Sequence, residues 1–328
     1  TGAVDIANGS FSSARLDSIR LSPGDNYRAD ITHRNKAYDI KISGNSADLR
    51  QLISEAKSNV AATGGSGENF VIAASGSLGS VRGFYETSLS DAQFSYAGRN
   101  GKTEKLSFKA VSPSGQAVVV DVDGQSQPGQ EKVEMTSGDA GAFARFAGVY
   151  GKMQGGLLNV RLQRAGDGPR RGVVDVRNFR IVGEEKLKAL VSSPADSKGR
   201  SLNDAVRRKI EVNEASFEVA NARIESGRGY LNVDEGILRG TEIGASFRGL
   251  IYDQNGNMDL SGTFMPAYGI NRLFGELPLI GAILGNGRDQ GLLGITFRLV
   301  GDADSPQVVI NPLSLIAPGV FRNIFEFR

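Results

Sequence analysis

The residues able to do covalent or metal chemistry are few in this chain, and their spacing excludes most chemistries. Of 328 residues one is His and none is Cys. Disulfides, thiolate metal sites and a Cys nucleophile are therefore excluded. The single imidazole, His33, lies between Thr32 and Arg34 in what reads as a polar stretch between strands and supports neither a multi-His metal site nor a mechanism needing two imidazoles. No G-x-S-x-G elbow supplies it with a reactive Ser. Asp253, Asn255, Asn257 and Asp259 alternate like the start of a calcium loop, but glycine stands fourth, not sixth, and Phe264 occupies the place of the bidentate Glu. Asn255-Gly256 reads more simply as a hairpin turn. Gly227-Arg228-Gly229 and Gly281…Gly285-Asn286-Gly287 lack the strand–turn–helix context of a phosphate-binding loop. Glu184-Glu185 and Asp234-Glu235 read as solvated groups and helix-dipole partners. The short basic clusters Arg170-Arg171 and Arg207-Arg208-Lys209 read as solvated faces, with anionic lipid head groups as the other use. The expectation is a protein that is not an enzyme, with no cofactor and no metal.

Most of the chain is built to make strands. Apolar and polar residues alternate with period two, which lines one face of a strand with hydrocarbon and leaves the other wet. The clearest runs are Tyr38-Ile40-Ile42, Phe70-Ile72-Ala74, Phe94-Tyr96, Leu106-Phe108-Ala110, Val118-Val120-Val122 and Leu158-Val160-Leu162. Phe217-Val219, Leu231-Val233, Ile243-Ala245-Phe247, Met258-Leu260, Ile295-Phe297-Leu299 and Val308-Ile310 continue the series. Between them Asn100-Gly101, Ser114-Gly115, Asp123-Gly124, Asp167-Gly168 and Asn255-Gly256 mark hairpin turns. Glycine is abundant, 43 residues, against a usual share of about 7%, and is expected at turns and bends. Helical spacing interrupts the strands over 48–58, with Leu52, Ile53 and Ala56 on one side. It recurs over 139–150 (Phe143, Phe146, Ala147, Tyr150), over 184–191 (Leu187, Leu190, Val191) and from Ser201 to Ile210. Apolar helices are expected over 268–284 and near the C-terminus.

The predicted fold class is mainly β: a long curved antiparallel sheet, taco- or groove-shaped, with short helices packed at intervals and at the C-terminus. Two regions are expected, 1–193 and 194–328, in one continuous sheet, with soft points at 63–68, 124–130 and 194–201. Lys plus Arg is 38 and Asp plus Glu 36, a net charge of +2, so no cation excess favours nucleic acid. No uninterrupted apolar run of about 18 residues predicts a membrane-spanning helix. The chain opens on Thr1 without a leader, and a fragment of a longer protein is expected.

The last 65 residues carry apolar side chains beyond the needs of alternation. Phe274, Leu277, Leu279, Ile280, Ile283 and Leu284 precede a second group of Leu315, Ile316, Phe321, Ile324 and Phe325. Either they cover the end of the sheet or they contact a membrane or membrane-protein partner. Within this region Thr263-Phe264-Met265-Pro266-Ala267-Tyr268-Gly269-Ile270-Asn271, Leu277-Pro278-Leu279-Ile280-Gly281, the Gly291–Leu299 strand, Asp304-Ser305-Pro306 and Asn311-Pro312-Leu313-Ser314 resemble the C-terminal signature of the AsmA-like family. Residues 137–163 resemble members carrying a long periplasmic β region, and the likeness is looser over 1–136. The resemblance implies a periplasmic part of an inner-membrane-anchored protein of Gram-negative bacteria, a bridge-like lipid-transfer architecture and a role in outer-membrane biogenesis. It supplies no catalytic motif.

A trough lined by alternate apolar residues would shelter acyl chains, each buried CH₂ contributing about 0.8 kcal/mol. With about 18–22 strands spaced about 4.8 Å, a continuous groove would run roughly 90–100 Å. The expected lining is Val118, Val120, Val122, Leu158, Val160, Leu162, Ile243, Phe247, Leu260, Ile295, Phe297 and Leu299. The inward parity of each strand is open at this point. Expected partners are phospholipids and, at the C-terminal end, the outer membrane or one of its proteins. The alternative is an assembly factor for outer-membrane proteins whose trough is filled by its own helices. Whether 139–151 and 268–284 lie inside the trough separates the two. A hydrolase of envelope polymers would need convergent acidic or Ser/His groups in a cleft.

Overall fold

The structure is a computed structural model describing residues 2–7, 9–58, 70–124, 129–194, 201–205, 210–266, 295–303 and 305–311. These residues are mainly β, as the alternation predicts. The contacts divide the chain into two compact units, 1–172 and 173–328; the sequence placed its change of region near 193/194.

The first unit is a meander. It comprises β1 (Gly2–Ala7), β2 (Ser10–Ile19), β3 (Asn26–Arg34), β4 (Ala37–Asp48), β5 (Val71–Arg82), β6 (Ser88–Arg99), β7 (Lys102–Val111), β8 (Ala117–Asp123), β9 (Gln130–Ser137) and β10 (Met153–Ala165). Each strand pairs antiparallel with the next, with one exception. Strands β4 and β5 run parallel, Ile40 beside Ala74 and Ile42 beside Gly76. The expectation of a purely antiparallel sheet is thus corrected: the sheet is mixed. A parallel neighbour needs a crossover, because the chain must return to the same end before pairing again. The segment after β4 begins that return with helix α1 (Arg50–Ser58).

Helix α1 does not use the side that its sequence suggested. Leu52 is exposed, at 61%, and Ala56 is exposed too. Leu49 and Ile53 pack instead on a buried cluster of Ala47, Leu78, Val81, Leu89, Ala92, Ala110, Val118 and Phe146. Lys57 continues that stripe, its Nζ donating to the Gly148 carbonyl at 2.8 Å and lying 5.2 Å from the Phe84 ring centroid. Helix α2 (Ala140–Phe146) joins β9 to β10. The Asp139 carboxylate caps it, accepting from the Ala142 N–H at 2.8 Å and from the Ser114 hydroxyl at 2.5 Å. Phe146 and Phe143 then reach the same cluster as α1.

The second unit holds most of β11 (Arg170–Val182), whose first three residues fall in the first unit, and β12 (Glu214–Gly227), β13 (Tyr230–Gly240), β14 (Ile243–Tyr252), β15 (Asn257–Pro266), β16 (Ile295–Asp302) and β17 (Gln307–Ile310). From β12 onward the pairs are antiparallel. Helix α3 (Glu185–Ser192) buries Leu187, Leu190 and Val191, the three apolar positions its spacing singled out. A single turn, α4 (Leu202–Ala205), opens at Ser201, whose hydroxyl and N–H both bond the Asp204 carboxylate, at 2.7 and 3.0 Å. The expected helices over 268–284 and at the C-terminus lie outside the described residues. Among the described residues no helix is long and apolar enough to cross a membrane.

Candidate functional site: a continuous apolar face

Directly paired residues in a sheet place their side chains on one face, so the register decides the parity that sequence left open. In the first unit the pairing joins Val118 to Ser137 and Leu158, Val120 to Met135 and Val160, and Val122 to Val133 and Leu162. All six expected lining residues here share one face. The same ladders carry each rung onward across the unit. One rung runs Ala14, Ile31, Ile40, Ala74, Tyr96, Leu106, Val122, Val133, Leu162. Its neighbour runs Leu16, Ala29, Ile42, Gly76, Phe94, Phe108, Val120, Met135, Val160.

The intervening residues form a wet face. Asp30, Lys41, Ser75, Ser95, Ser107, Asp121, Glu134 and Arg161 make one polar rung between the two apolar ones. Ten strands spaced about 4.8 Å give an apolar band roughly 40–45 Å across in this unit alone.

The band differs along the strand direction. At one end, the rung of Leu78, Ala92, Ala110 and Val118 is buried beneath α1 and α2. There Asp91 has φ +51° and its pair with Gly79 is missing from the ladder, and beyond this irregularity Val81 and Leu89 rejoin the same cluster. In the middle, Ile31, Ile40, Tyr96, Leu106 and Val122 are half-buried. At the far end the face carries His33, whose ring stacks on Tyr38 at 4.4 Å between centroids, with Phe11 6.2 Å away. The His33 Nδ1 sits 3.0 Å from the Phe11 carbonyl. His33 therefore belongs to the apolar face, not to a polar stretch between strands as its neighbours suggested.

The same far end holds a group that sequence reading missed. Glu131, one step beyond Val133 on the apolar phase of β9, is only 5% exposed. It accepts from Arg164 at 2.6 Å, its direct partner on β10, and from Arg170 at 2.5 Å. Arg170 is thus a half-buried ion partner and not a solvated residue. The signal lay in the alternation: Glu131 and Arg164 are charges in the apolar phase of their strands.

In the second unit the other six lining residues also share one face. Leu260 pairs with Leu299; Gly262 lies between Phe247 and Phe297; Phe264 lies between Ala245 and Ile295; Ile243 faces Pro266. Ile243, Leu260, Ile295 and Phe297 are buried, whereas Phe247 and Leu299 are half-buried. The opposite face carries Ser246, Arg248, Asp259, Ser261 and Arg298. Arg298 Nε donates to Asp259 at 2.7 Å and holds that carboxyl below its usual range.

Glycine here does more than turn the chain. A Cβ at Gly236 would collide with the Phe247 ring, and one at Gly262 would come within 2.9 Å of Phe297 Cζ. The rings of Phe247 and Phe297 thus take the space that a side chain on their cross-strand glycines would need. The Asp253–Asn257 turn spends its Asp253 carboxylate on the backbone N–H groups of Asn255 and Asn257, both at 2.8 Å, which lowers the Asp253 pKa. The apolar contact residues Phe274, Leu277, Leu279, Ile280, Ile283, Leu284, Leu315, Ile316, Phe321, Ile324 and Phe325 all lie outside the described residues. Among the described residues no cluster of three or more His, Cys, Asp or Glu is placed to hold a metal ion.

No family model, curated protein or solved structure matches the chain.

Proposed function

We propose that this chain is a lipid-transfer segment whose apolar face carries phospholipid acyl chains, working in the periplasm between the inner and outer membranes. The observation that carries the reading is the unbroken apolar rung from Ala14 on β2 to Leu162 on β10, half-buried along most of its length. A lining that repeats every strand presents nearly the same apolar surface at each step. A chain moving across the strands exchanges like for like, so passage needs neither a tight site nor a reaction. The resemblance to the AsmA-like family supports the same reading and supplies the setting. In that setting the rest of the parent chain anchors it in the inner membrane, and the apolar C-terminal segments meet the outer membrane or a protein there.

A second reading has an observation of its own. Helices α1 and α2 sit on the apolar face, over the Leu78–Val118 rung, as a filled assembly factor requires. They leave the Ile31–Val122 rung half-buried, which favours lipid. Native mass spectrometry of purified protein with extraction of bound lipid tests the choice: copurified phospholipid is expected. Val120→Glu with Leu106→Glu, both at half-buried positions, is expected to abolish lipid loading while circular dichroism keeps its strand signal. Loading that survives both charges, or protein free of lipid in every preparation, overturns the proposal.

A further inference from the structure

Resting on that reading, we infer that His33, with the rings of Phe11 and Tyr38, forms a head-group subsite that selects lipids carrying a protonated amine. Three observations converge. The first is placement. His33 pairs with Tyr38 and Tyr38 with Ile72, one rung beyond the half-buried Ile31, Ile40 and Ala74. At the opposite end of these strands the face is covered by α1 and α2. A lipid laid along β3 and β4 puts its tails on Ile31, Ile40 and Ile42, toward the helices, and its head at His33. The corner reaches solvent at Ile6, which pairs with Phe11 and is 70% exposed.

The second is a β-bulge that brings a ring to the corner. Asp5 pairs with Ser13 and Ile6 with Phe11, so Ser12 is an extra residue on β2. Without it Phe11 would share the wet face of Ser13, whose hydroxyl donates to Asp5 at 2.8 Å. The bulge turns Phe11 onto the apolar face, where its ring lies 6.2 Å from His33 and 6.4 Å from Tyr38. Bulges recur where a side chain is re-aimed beside a site. Tyr38 in turn stacks on His33 at 4.4 Å. The ring quadrupoles of Phe11 and Tyr38 favour a cation beside them.

The third is the tautomer of the imidazole. A carbonyl oxygen only accepts, so His33 Nδ1, 3.0 Å from the Phe11 carbonyl, carries the proton of the neutral ring. Nε2 is then an acceptor, and it has no partner among the described residues. An acceptor beside aromatic faces suits a cation that also carries N–H. The ammonium of phosphatidylethanolamine meets both demands. Choline is a cation without N–H, and a glycerol head donates without positive charge.

The shared chemistry is an ammonium group, from a lipid or free in solution, and the test separates the sources. The intact chain is titrated by calorimetry with dihexanoyl phosphatidylethanolamine, its N,N-dimethyl form, phosphatidylcholine and phosphatidylglycerol of the same tails, and O-phosphoethanolamine, the head alone. The two lipids that keep an N–H on the cation are expected to bind about fivefold more tightly than the choline and glycerol lipids, as one net hydrogen bond allows. His33→Phe, which keeps a ring and removes the acceptor, is expected to bring all of these lipids to the affinity of phosphatidylcholine. Should that variant fail to fold, the methylation series on the native chain decides. Equal affinity of these lipids for the native chain, or tightest binding of the choline or glycerol lipid, overturns the subsite and leaves the apolar face standing. An ethanolamine preference that survives in folded His33→Phe overturns the role of His33. Binding of no lipid overturns both the subsite and the reading it rests on. O-phosphoethanolamine binding as tightly as its lipid overturns the lipid assignment, leaving a site for a free amine.

Discussion

Single side chains hold the two faces apart, and their removal separates packing from charge. Leu89 is fully buried beneath the helices, and Leu89→Ala is expected to cost about 2–5 kcal/mol in denaturant unfolding, through lost transfer energy and a cavity. Glu131→Ala is expected to cost about 3–5 kcal/mol by the same measurement, because it removes the buried carboxylate that both Arg164 and Arg170 bond. Gly236→Ala pushes on the Phe247 ring and is expected to lose about 1–3 kcal/mol. Acid stability turns on carboxyls whose pKa is depressed in the folded chain. Asp259 beside Arg298, Asp48 beside Arg50 and Asp253 on its turn all shift downward. Each contributes stability above the unfolded carboxyl pKa of about 3.9, and that contribution is lost as pH falls through the lower folded value. The urea midpoint should therefore hold from pH 7 to about 4 and then fall, and Asp259→Asn should make the fall shallower.

At the scale of elements, turns and caps fix how strands meet. Asn35 and Lys36 join β3 to β4 with φ +49° and +64°. That left-handed pair costs a Lys about 1–2 kcal/mol relative to glycine. Lys36→Gly should raise the thermal midpoint, unless the added freedom of the unfolded chain offsets the relief; an unchanged or lower midpoint would show that it does. The turn carries no hairpin dipeptide, and so it escaped a search for Asn-Gly and Asp-Gly. Asn100-Gly101, with φ +52° and +75°, is the kind that search finds. At Asp167-Gly168 the left-handed residue is Gly166 instead, since several placements along one polar stretch close the same hairpin. Asp139→Ala should lower stability by about 1 kcal/mol through loss of the α2 cap.

For the molecule as a whole, a two-faced sheet is the property from which the functional proposal follows. Each unit taken by itself has one apolar and one polar face in register across its strands. In the first unit the helices seal one end of the strands, and charged groups mark the other. Such a sheet offers a ledge for hydrocarbon in which movement across strands is repetitive and movement along them is bounded. Phe297→Asp differs from the groove-charge variants in this respect. Phe297 is 6% exposed, so the change is expected to lower the unfolding midpoint and the strand signal together, where Val120→Glu lowers lipid loading alone.

The sequence by itself determined that the chain is mostly strand. Alternation is a local property, written in Val118-Val120-Val122 and Ile295-Phe297-Leu299 without reference to partners. It likewise placed Leu187, Leu190 and Val191 on the inner side of α3, since helical spacing is also local. What only the tertiary structure decided is which residues meet. Register between strands joined Leu162 to Val133 and Val122, and Leu260 to Leu299. The crossover turned β5 parallel to β4. Packing chose Leu49, just before α1, and Ile53 and Lys57 of α1 over Leu52 and Ala56. The assembly of Glu131, Arg164 and Arg170 depends on contacts across 33 and 39 positions. A period of two says that a strand has two faces; it takes the neighbouring strand to say what lies beside each residue.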